Sequence, residues 1–388
     1  MINNIKAVYF HKINFPLPPL NEQKRIVAKL DAIMPRIDSV KERLEKIPAI
    51  LKRFRQSVLT AAVTGKLTEK WREEHPEVES AEHLLERIRE EREVRYHNAC
   101  EEAKKKGAPQ PKKYREIIEQ NNLIKDVDTW VWTYLANVAE ISGGVTKGRM
   151  LQGNDVMRLP YLRVANVQDG YLDLSEMKEI EIKKQELARY ALMNGDILFT
   201  EGGDRDKLGR GCVWRSEIDV CIHQNHIFKA RVNEILIVPE YIALTTRSSF
   251  SKKYFDAVAS QTVNLASINM TNLCALPLLL PPLEEQKEIV RQVDKLFALA
   301  DKVEEHYQKA RVRVDALAQS VLAKAFRGEL VSQNPDDEPA EKLLQRIREE
   351  KAKMENELKP ASRSARGTRR NGTKTQGARA EEKQAGEP

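Results

Sequence analysis

A long repeat is the feature that most restricts how this chain can fold. Residues 18–31 return as residues 281–294, with nine of the fourteen positions identical and both copies opening on Pro-Pro-Leu. The match continues without insertion or deletion as far as Gly65 of the first copy. After a four-residue shortening, residues 81–91 reappear as residues 340–350. A repeat at so wide a spacing indicates a duplicated structural unit and excludes a solenoid of short repeats.

Each copy carries an apolar seam with the period of a coiled coil. From Ile26 to Val58, the positions at alternating spacings of four and three are all apolar. The equivalent positions from Ile289 to Val321 include no charged residue. A period of 3.5 residues, with Lys, Arg and Glu on the outer faces, is typical of a left-handed coiled coil. The pattern therefore predicts one long helix in each copy.

Glycine and proline mark where these helices begin, end or break. Gly65 and Gly328 stand where a helix C-terminus favours a residue that can take positive φ. Pro35 and Pro48 interrupt the first copy, whereas the second has other residues there. We therefore expect kinks or a break in the first helix and a straighter second helix.

The two helices can pack in two ways. Each can lie on its own domain as a separate amphipathic helix, or the two can pair with each other. Equal length and unbroken register favour mutual pairing. The seam does not fix the direction of pairing, and we expect an antiparallel coiled coil.

Composition limits the remaining architecture. With 388 residues, 41% of them hydrophobic and 32% charged, the chain has enough apolar residues for one globular domain plus elongated helices. Residues 351–388 contain ten Lys or Arg and five Glu, so this tail supplies five of the seven net positive charges. The tail has no apolar periodicity, and residues 356–388 are predicted to be disordered. It either adds weak nonspecific DNA affinity or keeps the chain in solution.

Cysteine spacing and hydropathy indicate the cellular compartment of the protein. The four cysteines show no paired spacing, and we see neither a signal peptide nor an apolar run of membrane length. These features predict a cytoplasmic protein.

The middle of the chain has a different pattern. Short apolar runs separated by Gly and Asn predict strands near residues 130–132, 161–167, 196–200, 211–214 and 227–232. Helices are predicted over residues 239–248 and 251–259. The fold class is therefore α+β: one mixed α/β domain over residues 126–275 and two long helices.

Three segments of this middle domain resemble one known family. They are residues 160–167 with Gly170, residues 192–198 with their Asn-Gly-Asp-Ile-Leu run, and residues 265–270 leading into the second Pro-Pro-Leu-Glu-Glu-Gln. In their order and in the duplicated motif they are similar to the specificity subunit of type I restriction-modification systems. In that family a target recognition domain is followed by a conserved helical region, and the pair is repeated once.

The resemblance implies a domain plan with one departure. It places a first conserved helical region at residues 16–125, the target recognition domain at 126–275, a second helical region at 276–355 and the tail at 356–388. Residues 1–15 resemble only the trailing end of a first recognition domain. A truncated gene, an internal start or cassette shuffling would each explain that remnant.

The resemblance also implies a non-catalytic subunit. The sequence contains no amino-methyltransferase motif and no glycine-rich phosphate loop. In the family, S-adenosylmethionine, ATP and Mg are used by partner subunits, so no cofactor is expected here. The implied partners are double-stranded DNA, methyltransferase subunits and restriction subunits, and self-association stays open. An alternative hypothesis is a scaffold that binds methyltransferase subunits without specifying a site.

Polar residues on loops of the middle domain are the candidates for DNA contacts. Cations beside glycines suit phosphate oxygens, whereas Arg, Gln and Asn have the paired groups that distinguish bases in the major groove. For any one of them an ordinary solvated or fold-stabilising role is the alternative. The phosphate candidates are Lys147, Arg149, Lys207 and Arg210, and the base-reading candidates are Arg163, Arg205, Gln224, Asn225, Gln261 and Asn264.

Apolar triplets in the two copies are the candidates for partner contacts. If the family plan holds, residues 81–91 and 340–350 dock methyltransferase subunits, while the helix length sets the distance between DNA half-sites. Packing within the chain is the alternative for both triplets, which are Leu84, Leu85 and Ile88 in the first copy and Leu343, Leu344 and Ile347 in the second. The Cys221-to-His226 segment contains a thiol and two imidazoles, but strand alternation places His226 on the opposite face from Cys221 and His223, so a metal site is not expected there.

Overall fold

The computed structural model describes residues 16–118, 127–149, 151, 155–203, 208–261 and 266–357. The chain divides into two compact units. We call residues 44–309 the central unit, and residues 1–43 together with 310–388 the terminal unit. The described helices include none with the length and apolar character needed to cross a membrane.

The two sequence copies form long helices. The first copy forms α1 (Leu20–Glu45) and α2 (Ile47–Val63), and the interruption falls just before Pro48, where the sequence predicts a break. Because proline has no N–H, it is well placed at the second position of α2. A short α3 (Glu69–Glu74) and the longer α4 (Ala81–Lys106) follow. The second copy forms one continuous helix, α10 (Leu283–Phe326), and then α11 (Ala340–Glu357).

Both copies end their long helix with a left-handed glycine. Gly65 has φ 77° and Gly328 has φ 71°. This region is accessible to glycine without a Cβ clash, so the chain can turn away from the helix. A Cβ on Gly65 would also lie 2.6 Å from Val127 Cγ2, which adds a packing reason for glycine there.

In the terminal unit, α1 packs against the last part of α10. Ile37 shares a buried cluster with Ala318 and Val321. On the same helices Lys41 Nζ lies 2.9 Å from Asp315 Oδ1. The seam positions predicted from the heptads therefore make contact here.

In the central unit, α2 packs against the first part of α10. Val58 and Leu59 share a buried cluster with Ile289 and Val293. Arg55 bridges two acidic side chains of α10, Asp301 at 2.7 Å and Glu304 at 3.0 Å. Apolar contacts between α2 and α10 are thus accompanied by ion pairs between the same two helices.

The remainder of the central unit is a domain of short strands and helices, which we call the head (residues 127–280). Its four-stranded sheet has the order β2-β9-β5-β7, and a three-stranded sheet has the order β4-β3-β8. The chain enters and leaves the head through β1 and β12, which pair antiparallel. Strand bounds are β1 Val131–Tyr134, β2 Glu140–Gly143, β3 Val156–Leu162, β4 Lys178–Lys183, β5 Ile197–Thr200, β6 Gly202–Gly203, β7 Gly211–Val213, β8 Ile222–His223, β9 Ile227–Arg231, β10 Ser260–Gln261, β11 Ala266–Ser267 and β12 Pro277–Leu280.

The described part of the head also contains five short α-helices. They are α5 (Leu135–Val138), α6 (Leu187–Tyr190), α7 (Pro239–Thr246), α8 (Ser249–Val258) and α9 (Met270–Cys274). Ser248 caps α8 by accepting a hydrogen bond from Ser251 N, and Asn269 caps α9 in the same way. Such caps satisfy N–H groups that the first turn of a helix leaves without partners.

The strand predicted over residues 161–167 ends early. β3 stops at Leu162, and Val164–Asn166 form one 3₁₀ turn. Asn166 causes the change because its Oδ1 accepts a hydrogen bond from Arg163 N at 2.9 Å. A side chain that bonds the nearby backbone competes with strand pairing.

The Asn-Gly-Asp-Ile-Leu run has a structural role. Gly195 has φ 83°, and the turn it forms leads directly into the buried strand β5. Asp196 is fully buried and accepts hydrogen bonds from Arg231 at 2.6 and 2.7 Å and from Met193 N at 2.7 Å. These bonds compensate the buried carboxylate and tie β5 to β9.

Acid is expected to destabilise the head through His223. This imidazole is fully buried, and its Nδ1 donates to Ile227 O at 2.9 Å. Burial, together with the nearby Lys229 ammonium, lowers the pKa of His223 to about 4. Because the unfolded imidazole has a pKa of about 6.5, the unfolded state binds the proton first, and stability falls as the pH drops from about 6.5 towards 4.

The expected loss is up to about 3 kcal/mol at the acid end of that range. Urea unfolding at pH 7 and at pH 4.5 measures it. In His223→Gln, which has no imidazole to protonate, the difference between the two pH values should shrink by most of this amount. An unchanged difference would show that other groups cause the acid sensitivity.

Candidate nucleic-acid interface

The loop after β2 carries two exposed cations. Lys147 Nζ lies 5.8 Å from the centre of the Tyr161 ring. Arg149 donates two hydrogen bonds to the Glu186 carboxylate, at 2.6 and 3.2 Å, and this pairing raises the pKa of Arg149 and lowers that of Glu186. Exposed ion pairs contribute little free energy, so a phosphate oxygen can replace Glu186 at small cost.

The turn between β8 and β9 lies beside that loop. Val145 N donates to His223 O at 2.8 Å, and Asn225 N donates to Val145 O at 3.0 Å. Gln224 N donates to Leu162 O at 3.0 Å, which fixes the other side of the turn. The side chains of Gln224 and Asn225 remain half-buried. The structure therefore brings two base-reading candidates next to two phosphate candidates.

Arg163 is held inside its own turn. Its Nη2 donates to Glu176 O at 2.8 Å, and 17% of its side chain is exposed. Asn166, which also donates to Asp173 O at 2.7 Å, closes the same turn. The guanidinium thus stabilises local structure, which is the alternative that the sequence leaves open for this residue.

Arg210 lies in a second basic region. Its Nη1 donates to Gln168 Oε1 at 3.1 Å, while its Nε is buried and has no hydrogen-bond partner in the described part of the chain. A nearby arginine of α7's C-terminus, Arg247, pairs with Asp169 at 2.7 Å. Loop 168–171 therefore connects two arginines that are far apart in the sequence.

Arg210 and Arg247 line a groove of about 410 Å³ between the head and α2, inside the central unit. Five cations contribute to its walls, against the carboxylates of Asp169 and Glu304. An excess of positive charge in a concave surface favours a polyanion. The cations are Lys52, Arg55, Arg210, Arg247 and Lys252.

Most cations of this groove were not predicted from the sequence as DNA contacts. Of its five cations, only Arg210 is among the predicted DNA contacts. Lys52 and Arg55 lie on a helix whose charges look like an ordinary solvated face, and Arg247 follows a buried helix. No local motif marks them, since tertiary packing brings them together.

The other four predicted DNA contacts divide into two groups. Arg205, Lys207 and Asn264 lie outside the described residues. Gln261 belongs to β10, and its backbone pairs with Ala266 of β11.

The two apolar triplets are in opposite environments. Leu84, Leu85 and Ile88 are buried in the core of the central unit, where they pack with Trp130 and Leu135. Their side chains are therefore not available to a partner, and they follow the alternative of packing within the chain. In the second copy Leu343 is half-buried, while Leu344 and Ile347 are exposed by 38% and 47%.

The described residues include no group of three or more His, Cys, Asp or Glu side chains placed to hold a metal ion. In the Cys221-to-His226 segment, Cys221 is buried and His226 contacts Glu201 Oε2 at 2.5 Å. Burial raises the pKa of Cys221 and of Cys212 to about 12, which keeps both thiols protonated near neutral pH.

The sequence profile of the family described as "Type I restriction modification DNA specificity domain" matches residues 2–49 and 128–311. These ranges cover more than half of the chain and contain all ten predicted DNA contacts. The chain belongs to the type I restriction-modification specificity family.

Curated relatives agree with this assignment. The specificity subunit is 34% identical over 361 residues to the type I restriction enzyme EcoKI specificity subunit of Escherichia coli (strain K12), covering 90% of this chain and 67% of the relative. It is 34% identical over 361 residues to the type I restriction enzyme StySPI specificity subunit of Salmonella potsdam, and this match covers 90% of this chain and 66% of the relative. The chain thus spans about two thirds of the length of the curated relatives it matches.

The similarity to solved structures is weaker. The HsdS subunit from Thermoanaerobacter tengcongensis superposes with a TM-score of 0.42 at 18% identity, covering 81% of this chain and 61% of that one. A second structure, titled for the complex assembly and conformational transition of the type I R-M system, superposes with a TM-score of 0.49 at 20% identity. This match covers 81% of this chain and 62% of that one.

The family match confirms the prediction of a specificity subunit. It also confirms the prediction that this is the non-catalytic component, since the relatives are named as specificity subunits of restriction enzymes. The mixed helix and sheet composition of the chain agrees with the predicted α+β class.

Proposed function

We propose that this specificity subunit reads a DNA sequence with its head and directs methyltransferase and restriction subunits to that site. The observation that carries the proposal is the family match over residues 128–311, which coincides with the cation-rich loops of the head. In this proposal S-adenosylmethionine, ATP and Mg act in the partner subunits, and the chain works in the cytoplasm.

DNA contacts in this proposal divide into two groups. Lys147, Arg149 and Arg210 meet phosphate oxygens, which position the duplex without reading it. Gln224 and Asn225 meet base edges, because their amide groups can pair with adenine in the major groove. Arg163 supports the fold. The remaining proposed contacts are Arg205, Lys207, Gln261 and Asn264.

We further propose that α1, α2 and α10 form an antiparallel coiled coil that acts as a spacer. In the terminal unit Lys41 pairs with Asp315, and in the central unit Arg55 pairs with Asp301. In the terminal unit Arg25 pairs with Asp337, so the residue number of the partner falls from 337 to 315 as that of the first copy rises from 25 to 41, which supports antiparallel pairing. A rigid spacer fixes the separation between DNA half-sites.

Partner contacts are proposed on the exposed second triplet. Leu343, Leu344 and Ile347 present apolar surface that the equivalent first triplet buries. Exposed apolar side chains that form a contiguous patch are a feature of protein interfaces.

Methylation mapping tests the proposed function. Cells that carry this chain with its methyltransferase partner are expected to modify one defined motif, and cells that lack the chain are expected not to modify it. If the chain is a scaffold that binds methyltransferase without specifying a site, its presence leaves the methylation pattern unchanged.

Two substitutions separate phosphate contacts from structural arginines. Lys147→Met is expected to weaken duplex binding by roughly tenfold and to reduce the salt slope of binding by about 1, because one phosphate contact is lost. Arg163→Met should instead lower thermal stability. Fluorescence anisotropy and thermal unfolding of both variants measure the difference, and a full-strength duplex affinity for Lys147→Met would remove Lys147 from the interface.

A further inference from the structure

A cationic cavity of about 390 Å³ lies in the central unit, between α4 and the head. Its volume is within the range of small-molecule binding sites. We call it the α4 cavity. Five cations line it, against one acid, Glu140, and such an excess of positive charge in a concave surface favours an anion. The cations are Arg92, Arg95, Lys112, Lys113 and Arg115.

Arg92 is the buried cation of this set, with an exposed fraction of 6%. Its Nη1 donates a hydrogen bond to Ala136 O at 2.6 Å, and its Cζ lies 4.3 Å from the centre of the Tyr114 ring. Among the described residues it has no ion pair, and burial lowers its pKa even though the Glu140 carboxylate acts in the opposite direction. The charge of Arg92 is therefore only partly compensated, which is costly for a buried cation.

Two more cations of the α4 cavity lack a carboxylate partner among the described residues. Lys112 is exposed and has no ion pair there. Arg115 donates a hydrogen bond to Thr271 Oγ1 at 3.5 Å. The Arg115 guanidinium also lies beside Cys274, where it opposes the rise in pKa that burial causes in this thiol. Both cations can therefore accept a negatively charged partner.

The other two cations are already paired. Arg95 donates hydrogen bonds to both carboxylate oxygens of Glu91, at 2.7 and 2.6 Å. Lys113 Nζ lies 3.1 Å from Glu93 Oε1. The excess positive charge of the α4 cavity thus comes from the three cations that have no carboxylate partner.

Aromatic and apolar side chains adjoin these cations. Tyr96, Pro111 and Ile141 line the same cavity. Tyr114 lines it as well, and its hydroxyl lies 2.7 Å from Glu93 Oε2. Burial raises the pKa of Tyr114 to about 12, so this side chain stays neutral near pH 7 and does not repel an anion. The α4 cavity therefore offers contact surface for an organic group beside the anion.

We propose that the α4 cavity binds the phosphate group of a small molecule, with Arg92, Lys112 and Arg115 as its cationic contacts. Arginine suits phosphate because its N–H groups can bond two phosphate oxygens at once. A phosphate dianion also compensates more of the three positive charges than a single carboxylate does. Any organic part of the ligand contacts Tyr96 and Ile141.

The α4 cavity is separate from the proposed DNA contacts of the loop after β2. Glu140 is the first residue of β2, whereas Lys147 and Arg149 follow its last residue. The strand has four residues, so its two ends are about 10 Å apart. In addition, a free molecule can enter a cavity whose arginine is exposed by 6%, whereas the phosphates of a rigid duplex cannot. A small ligand is therefore favoured over the DNA backbone.

Isothermal titration calorimetry of the full chain at pH 8 tests the proposal, with inorganic phosphate and adenosine 5′-monophosphate as the probes. Both are expected to bind one site and to compete for it, whereas adenosine, which lacks the phosphate, is expected not to bind. Tighter binding of the nucleotide would assign the cavity to a phosphate ester, and equal binding would assign it to inorganic phosphate. Succinate, a dianion with two carboxylates, should bind at least about tenfold more weakly than phosphate.

A charge reversal at the cavity provides the matched comparison. Lys112→Glu is expected to weaken phosphate binding by roughly tenfold or more, because a charged contact is replaced by a repelling carboxylate. Lys105→Glu makes the same change of charge at an exposed position of α4 that does not line the cavity, and it should bind phosphate like the parent chain. Thermal unfolding checks that both variants are folded, which is expected because both lysines are exposed.

Absence of phosphate binding by the folded parent chain would overturn the proposal. Equal affinity for succinate and phosphate, or equal binding by the two variants, would do the same. If phosphate does not bind and Lys112→Glu instead lowers duplex affinity more than Lys105→Glu does, the cavity belongs to the DNA interface. The proposal does not depend on sequence reading by the head, so either of the two can fail while the other holds.

Discussion

Replacement of Glu285 by leucine is expected to lower the free energy of unfolding of the central unit by about 3–5 kcal/mol, the range for breaking a buried ion pair. The substitution leaves Arg72 without its carboxylate partner and Trp130 Nε1 without this acceptor. Trp130 is fully buried, so water does not replace the lost hydrogen bond. Urea unfolding followed by tryptophan fluorescence measures the loss.

The duplicated sequence provides a matched control for this prediction. Glu22→Leu makes the same chemical change at the equivalent position of the first copy, where one carboxylate oxygen has no partner in the described residues. We expect its unfolding free energy to equal or exceed that of the parent chain. Equal losses in the two variants would contradict the difference in hydrogen bonding between Glu285 and Glu22.

The second large effect concerns salt. If six to ten phosphates are neutralised, duplex affinity is expected to fall by about 10³–10⁵ between 50 and 200 mM salt, because bound cations are released from DNA on binding. Fluorescence anisotropy with a duplex that contains the motif found by methylation mapping measures this dependence. A nearly flat dependence would contradict binding through Lys147, Arg149 and Arg210.

The basic C-terminal tail needs its own control in that experiment. Residues 351–388 carry ten Lys or Arg, and clustered basic residues bind DNA phosphates without regard to sequence. A chain that ends at residue 357 should keep its preference for the motif and most of its salt dependence. If the truncation abolishes binding, the tail and not the head supplies the affinity.

The helical part of the fold was predictable because its signals are local and repeated. The apolar seam from Ile26 to Val58 predicts a helix over many turns, and Pro48 predicts the place of its break. Gly65 and Gly328 predict the helix ends, since positive φ is a property of the residue itself. The repeat also allows each signal to be checked against its second copy.

The head was less predictable because its strands are short and its turns depend on side chains. Residues 161–167 have the composition of a strand, yet Asn166 bonds the backbone and ends the strand at Leu162. β4 carries alternating charges and was not predicted as a strand from the sequence, although it pairs with β3 along its whole length. Apolar composition alone does not reveal a strand with one half-exposed face.

The candidate site shows the same limit. Arg163 and Arg210 have the same side chain and lie on predicted loops, but hydrogen bonds hold Arg163 in a turn while Arg210 lines a basic groove. Lys52 and Arg247 line that groove through tertiary packing, for which the sequence gives no local signal. Likewise Leu85 and Leu344 are equivalent in sequence, but Leu85 is buried in a cluster with residues of the head, whereas Leu344 is exposed.

Selection from a pool of randomised DNA duplexes tests sequence reading most directly. The full chain, together with its methyltransferase partner, is incubated with the pool at physiological salt, and bound duplexes are recovered and sequenced. We expect enrichment of one short motif that matches the methylated motif, and we expect a Gln224→Ala, Asn225→Ala double variant to lose this enrichment. Recovery of duplexes without any shared motif, from a complex that binds DNA, would contradict it.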